Sequence, residues 1–171
     1  MSYFILIRGP LGVGKTTVST EIARILDGEH ISIDRLLEEH GLDKGDEDEG
    51  CIPSKNFLEG NRIIIPDIKT LLDSGKVVIL DGCFYHREQI IHLKENLPYH
   101  HYVFTLKAPV EVCIERDKGR DRVYGEGAAR AVHWLVSRFD EGIVIDTAGK
   151  TLKQTVDEIN SHLPPQIGKG E

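Results

Sequence analysis

A chain of 171 residues with 40% hydrophobic side chains is long enough for one core and too short for two. A net charge of −7 counts against broad binding to a nucleic-acid backbone, which relies on clustered Lys and Arg, but it leaves room for a local basic pocket at a nucleic-acid end. Cys51, Cys83 and Cys113 stand far apart in odd number, a pattern that suggests neither a disulfide framework nor a zinc site and fits a reducing compartment.

The chain opens on an apolar run at 3–8, read as a strand; it is too short for a signal or membrane segment, so a soluble, cytoplasmic protein with no membrane partner is expected. Directly after it comes Gly9-Pro10-Leu11-Gly12-Val13-Gly14-Lys15-Thr16, a G-x-x-x-x-G-K-[ST] motif that opens a helix predicted over 15–26. Glycines in this order let backbone amides turn inward around a β-phosphate, and the helix N-terminus adds positive potential. Lys15 reaches the β- and γ-phosphates, and the Thr16 hydroxyl is the expected magnesium ligand. Residues 9–17, Thr17 included, are thus the candidate nucleotide cradle, with ATP and Mg2+ as the expected ligands.

A second strand at 30–33 is followed directly by Asp34. Ligands of open parallel sheets bind at the carboxyl ends of strands, where a carboxylate can accept the proton of an acceptor hydroxyl. The alternative is an N-cap for a following short helix. The stretch 38–53 is acidic and punctuated by glycine, and reads as a solvated loop or as part of a cover over an acceptor site.

A helix follows at 57–73, supported by Ile63, Ile64, Ile68, Leu71 and Leu72 at helical spacing. The third strand, 77–81, closes on Asp81, which resembles a metal-shell acid but equally suits an acceptor contact or a turn. The eight histidines lack metal-ligand spacing, and His86 is the one placed to matter. A helix at 87–95, a strand at 101–106 and a helix at 109–117 come next.

The stretch 118–127 is basic, glycine-rich and aperiodic; with the helix end it carries Arg116, Arg120 and Arg122, the makings of a lid over about 116–127 that closes on phosphates. Interleaved Glu115, Asp117 and Asp121 allow the opposite reading, a self-paired surface. A helix at 128–139 holds Trp134, expected in the core beside Val132, Leu135 and Val136. A strand at 143–146 and a helix at 152–162 finish a single domain over 1–163, and 164–171 reads as a frayed tail. Alternation of apolar strands with helices gives an α/β fold with a parallel sheet covered on both faces.

No N-K-x-D guanine-reading motif and no LSGGQ-like signature accompany the phosphate loop, and the remaining motifs favour a kinase over a hydrolysing switch. The order of phosphate loop, Asp34, Asp81 and Arg-rich lid resembles the small P-loop kinases related to nucleoside monophosphate, shikimate and gluconate kinases. Within them, the segment from Glu115 to Asp146 looks most like the chloramphenicol phosphotransferase group, with polynucleotide 5′-hydroxyl kinases as neighbours. That resemblance implies a three-layer P-loop NTPase fold with five parallel strands in the order 2-3-1-4-5. It also implies Asp34 as base, with Arg116, Arg120 and Arg122 on ATP phosphates. Lys15, Asp34, Arg120 and Arg122 are then the candidate catalytic set, and Thr16 and Asp81 the candidate metal set.

Three readings follow. The chain phosphorylates a small hydroxyl-bearing acceptor; or it is a polynucleotide 5′-kinase, with Arg35, Arg62 and Arg87 along the path of a nucleic-acid end; or it is a nucleotide-binding regulator with little turnover.

Overall fold

The computed structural model describes residues 1–120 and 123–165; Arg122 and the 166–171 part of the expected tail lie outside the described residues. In chain order the elements are β1 (Tyr3–Arg8), α1 (Lys15–Leu26), β2 (Glu29–Ser32), α2 (Ile33–Glu39), α3 (Ser54–Asp73), β3 (Val78–Gly82), α4 (Arg87–Asn96), β4 (His100–Lys107), α5 (Val110–Lys118), α6 (Glu126–Ser137), β5 (Ile143–Asp146) and α7 (Leu152–Ser161). The five strands are parallel, in the order β2-β3-β1-β4-β5 that the resemblance implies.

Strand alternation divides the core in two. Phe4 and Leu6 of β1, with Val78 and Leu80 of β3, face a cluster completed by Leu37, Phe57, Ile68, Ile90 and Leu135 from α2, α3, α4 and α6. Ile5, Ile7 and Ile79 point the other way, onto Val18, Ile22, Cys113, Val156 and Ile159 from α1, α5 and α7. Burial on both faces explains why β1 and β3 read as unbroken apolar runs rather than alternating ones.

Helix α5 continues to Lys118 and α6 begins at Glu126, so the described irregular residues are 119–120 and 123–125, within the expected 118–127. Trp134, expected in the core, is 65% exposed, with the Arg138 guanidinium 5.6 Å from its ring centroid. At about 100° per residue, Val132, Leu135 and Val136 share one side of α6 and Trp134 falls opposite. Among the described residues no helix is long and apolar enough to cross a membrane.

Candidate active site

Residues 9–14 link the end of β1 to the start of α1, so the phosphate loop lies at the carboxyl edge of the central strand. Gly12 (φ 80°) and Gly14 (φ 100°) take left-handed backbone conformations that other residues rarely adopt. A Cβ on Gly12 would sit 2.1 Å from the Cys113 carbonyl oxygen of α5, whereas one on Gly14 would meet nothing within 4 Å. The first glycine lets the loop pass under α5, and the second leaves the mouth of the helix open. A cavity of about 260 Å³ is lined by Gly12, Gly14, Lys15, Thr16, Thr17, Arg116 and Arg120. Seven residues read from the sequence as nucleotide ligands thus meet around one space.

Lys15 is only 7% exposed, and its Nζ donates to the Pro10 carbonyl at 2.9 Å. Burial works against its charge most strongly, but the nearby acids Asp34 and Asp81 oppose it and the ammonium pKa is left raised. The lysine stays protonated, as phosphate binding requires.

Arg116 is fixed by its neighbours. Its guanidinium donates to the Val13 carbonyl at 3.3 Å, to Thr147 Oγ1 at 3.0 Å and to the Thr147 carbonyl at 3.1 Å, tying α5 to the phosphate loop and to the segment after β5. Arg120 is held more loosely, 3.9 Å from Asp117 and 5.8 Å from the centre of the Tyr124 ring. Asp117, read from the sequence only as a surface acid, is 1% exposed; its Oδ2 accepts from the Tyr124 and Gly125 amides, both at 3.2 Å. It therefore clamps the chain at Tyr124 and Gly125, just before α6, onto α5. The signal was its spacing: Asp117 lies three and four residues beyond the buried Ile114 and Cys113, on the inward side of α5.

Asp34 occupies the first turn of α2, half-buried. The N-cap of that helix is Ser32, whose side chain accepts from the Arg35 amide at 3.4 Å, so capping does not account for the aspartate. The Cys83 thiol donates to Asp34 Oδ2 at 3.6 Å. Burial raises the Asp34 pKa most; Lys15 opposes that effect and Asp81 adds to it, leaving the value above the usual carboxylate range.

Asp81 fits its sequence-derived role least well. It is 1% exposed inside β3, and His30 Nε2 lies 2.5 Å from its Oδ2. The histidine comes from β2, two positions before Asp81's own register partner, Ile31 being opposite Leu80 and Ser32 opposite Asp81. Neither partner of this cross-strand pair lines the nucleotide cavity.

On the other side of the phosphate loop a second cavity of about 320 Å³ is lined by Asp34, Leu37, Cys51, Phe57, Tyr85 and Leu135 among others. Leu11 belongs to its wall and Gly12 to that of the nucleotide cavity, so adjacent loop residues separate the two spaces. Asp43, Gly45 and Gly50 also line it, which makes the acidic loop part of a cover. The turn at its end is built by the Asp46–Cys51 bridge and held down where the Ile52 amide donates to the Tyr85 hydroxyl at 3.1 Å. Among the described lining residues the charged groups are Asp34, Glu38 and Asp43, and no Lys, Arg or His takes part.

Of the three arginines considered for a nucleic-acid end, Arg35 pairs with Glu39 at 2.8 Å and Arg62 with Glu59 at 3.2 Å on exposed helix faces. Arg87 stacks on Phe139, 4.6 Å from the ring centroid, in a groove it shares with Arg138. The sequence reading did not weigh Arg8. Fully buried at the end of β1, it donates to Thr105 Oγ1 at 3.1 Å and to the Phe139 and Val136 carbonyls at 2.9 and 3.0 Å. Burial pushes its pKa down to about 10. It pins the end of α6, a wall of the second cavity, to the residue before the phosphate loop.

Comparison with known proteins agrees with this geometry. A family model described as an AAA domain matches residues 5–131. A Pyrococcus furiosus protein provisionally named adenylate kinase is 30% identical over 178 residues, covering 96% of this chain and 88% of the relative. A Thermococcus kodakarensis protein of the same provisional name is 31% identical, covering 91% and 82%. A sugar kinase structure from Janibacter sp., 18% identical, superimposes with a TM-score of 0.78 over 94% of each chain, a likeness of fold. The chain belongs to this AAA domain family and, with it, to the small P-loop kinases.

Proposed function

We propose that the protein transfers the γ-phosphoryl group of ATP to a hydroxyl of a small acceptor bound in the cavity beside Asp34. The observation that carries this reading is the pair of cavities on either side of the phosphate loop, the nucleotide side cationic and the other apolar with three acids and no described cation. The names of the archaeal relatives suggest a different acceptor, a nucleoside monophosphate. Such an acceptor carries a phosphate, which needs positive groups to replace its hydration, and a wall of Asp34, Glu38 and Asp43 repels it.

In the step itself, the acceptor oxygen forms a bond to the γ-phosphorus while the bond from that phosphorus to the β–γ bridging oxygen breaks. ADP leaves, and the hydroxyl proton passes to Asp34. Lys15 holds the β- and γ-oxygens, Arg116 fixes the nucleotide side and Arg120 meets charge on the transferring group. Arg122 remains a candidate for the same work. Thr16, exposed at the cavity mouth, suits magnesium, which when bound would neutralise phosphate charge. Asp81, engaged by His30, is better suited to backing the charge of Lys15 than to joining that shell.

The groove of Arg87 and Arg138 favours a second reading, a 5′-hydroxyl nucleic-acid end as acceptor. An assay of ADP release against a panel of hydroxyl compounds, AMP and a 5′-hydroxyl oligonucleotide separates the readings. Release with a hydroxyl compound supports the first and release with the oligonucleotide the second. Release with AMP alone overturns both, and no release with any acceptor leaves a nucleotide-binding regulator.

A further inference from the structure

The turn over the acceptor cavity brings Glu49 and Cys51, two residues apart, against a side chain that is distant in the sequence, His86. Glu49, Cys51 and His86 each present one donor atom, a carboxylate oxygen, a thiol sulfur and a ring nitrogen, all within 4.8 Å of one another. From these residues we infer a binding site for a zinc-class divalent metal ion, separate from the nucleotide's magnesium and independent of the kinase reading.

The donor set selects the ion. Thiolate with imidazole and one carboxylate is a borderline-soft combination that suits Zn2+, whereas Mg2+ prefers oxygen ligands alone. Magnesium supplied with a nucleotide therefore does not compete for this site. Three protein donors also leave one tetrahedral position for water or another small ligand.

The imidazole is already oriented. Its Nε2 lies 2.7 Å from the Ile52 carbonyl oxygen. A carbonyl only accepts, so Nε2 carries the proton in this hydrogen bond and Nδ1 is the nitrogen left with a lone pair for a metal. Edge contacts with Phe57 and Tyr85, at ring-centroid distances of 5.5 and 5.0 Å, fix the ring plane. Cys51 and Glu49 sit on the turn closed by the Asp46 amide donating to the Cys51 carbonyl at 2.9 Å. Zinc–ligand bonds of about 2.0–2.3 Å put donors roughly 3.3–3.8 Å apart, so binding draws the three together by at most about 1.5 Å.

The thiolate is the ligand form of cysteine, so metal binding displaces the Cys51 proton. Cys51 also lines the acceptor cavity and His86 precedes α4, so a bound ion would staple the acidic turn to the β3–α4 connection and stiffen one wall of that cavity.

The test is metal binding by the full chain, read without any acceptor. Zinc titrated calorimetrically should bind one to one, and cobalt in its place should give a sulfur-to-metal charge-transfer band. Cys51→Ser should abolish that band and weaken zinc binding by more than the roughly 10–100-fold that loss of an outer-shell partner costs. His86→Gln should weaken binding to a similar extent, and its circular dichroism shows whether the fold survives. Zinc should also slow amide hydrogen exchange over residues 46–52 in the parent and not in Cys51→Ser. Cobalt binding without a thiolate band, or zinc affinity unchanged by Cys51→Ser, would overturn the site and leave adventitious binding at surface histidines.

Discussion

The Cys83 thiol donates to Asp34 Oδ2 across 3.6 Å, joining the residue just past β3 to the first turn of α2. Burial above all pushes the thiol pKa up to about 12, so Cys83 stays neutral and remains a donor at any working pH. The carboxylate is thereby aimed while keeping its basicity. Asp34→Asn should leave ATP affinity nearly constant and slow phosphoryl transfer by about 10²–10⁴-fold, the usual range for a positioned acid–base group. Isothermal titration alongside single-turnover transfer checks both halves. Equal transfer rates would remove Asp34 from the chemistry, and a matched loss of ATP binding would move it to the nucleotide side.

The raised pKa of Asp34 sets a pH dependence. Transfer should fall on the acid side with a midpoint above the ordinary aspartate value of about 3.9, and Asp34→Asn should lack that limb. The sign for stability is opposite to that of a salt-bridged acid. Between the unfolded and the raised folded pKa the native state binds more protons, so this group's contribution declines as pH rises through that window. Urea unfolding of parent and Asp34→Asn across the window should show the parent alone losing this increment.

Arg116 and Arg120 line one cavity but are held differently, and their variants should separate. Arg116 makes three hydrogen bonds to fixed oxygens, so Arg116→Ala should lower thermal stability and weaken ATP binding by roughly 10–100-fold, in line with about 1.5–3 kcal/mol for a charged hydrogen bond. Arg120, with 42% of its side chain exposed, should contribute chiefly once charge develops. Arg120→Ala should reduce kcat by about 10²–10³-fold with little change in melting temperature. Fluorescent-nucleotide titration and steady-state kinetics decide between them.

Two glycines of the phosphate loop should also part company. In Gly12→Ala the new methyl meets the Cys113 carbonyl at 2.1 Å on a left-handed backbone, so overpacking and strain add to roughly 2–6 kcal/mol. In Gly14→Ala the methyl meets nothing within 4 Å, and backbone strain alone costs about 1–3 kcal/mol. Chemical denaturation should rank Gly12→Ala well below Gly14→Ala, and equal losses would mean that α5 does not pack over the loop.

The phosphate loop was legible in the sequence because its chemistry is contiguous: one strand end, six loop residues and one helix start carry the whole cradle. Asp34 was legible as a strand-end acid, but its cap alternative needed Ser32 in place to be dismissed. Arg8 gave a signal as a lone cation ending an apolar strand, and that signal went unread. Long-range pairs were beyond reach. The His30–Asp81 contact depends on which strands neighbour each other, and the Glu49–Cys51–His86 grouping depends on how the acidic loop folds back against the β3–α4 connection. Trp134 went astray because its immediate neighbours are apolar, although one helical step between them reverses direction.

The chemical form of the product tests the acceptor assignment most directly. Protein, ATP and magnesium are incubated with a pool of neutral and amine-bearing hydroxyl compounds, and in a parallel sample with AMP, and phosphorus NMR follows both. The account predicts a new phosphomonoester resonance matched by ADP in the first sample and no ADP formed from AMP in the second. Conversion of AMP to ADP with the hydroxyl pool untouched would contradict it, and would mean that a wall of three acids accepts a phosphate after all.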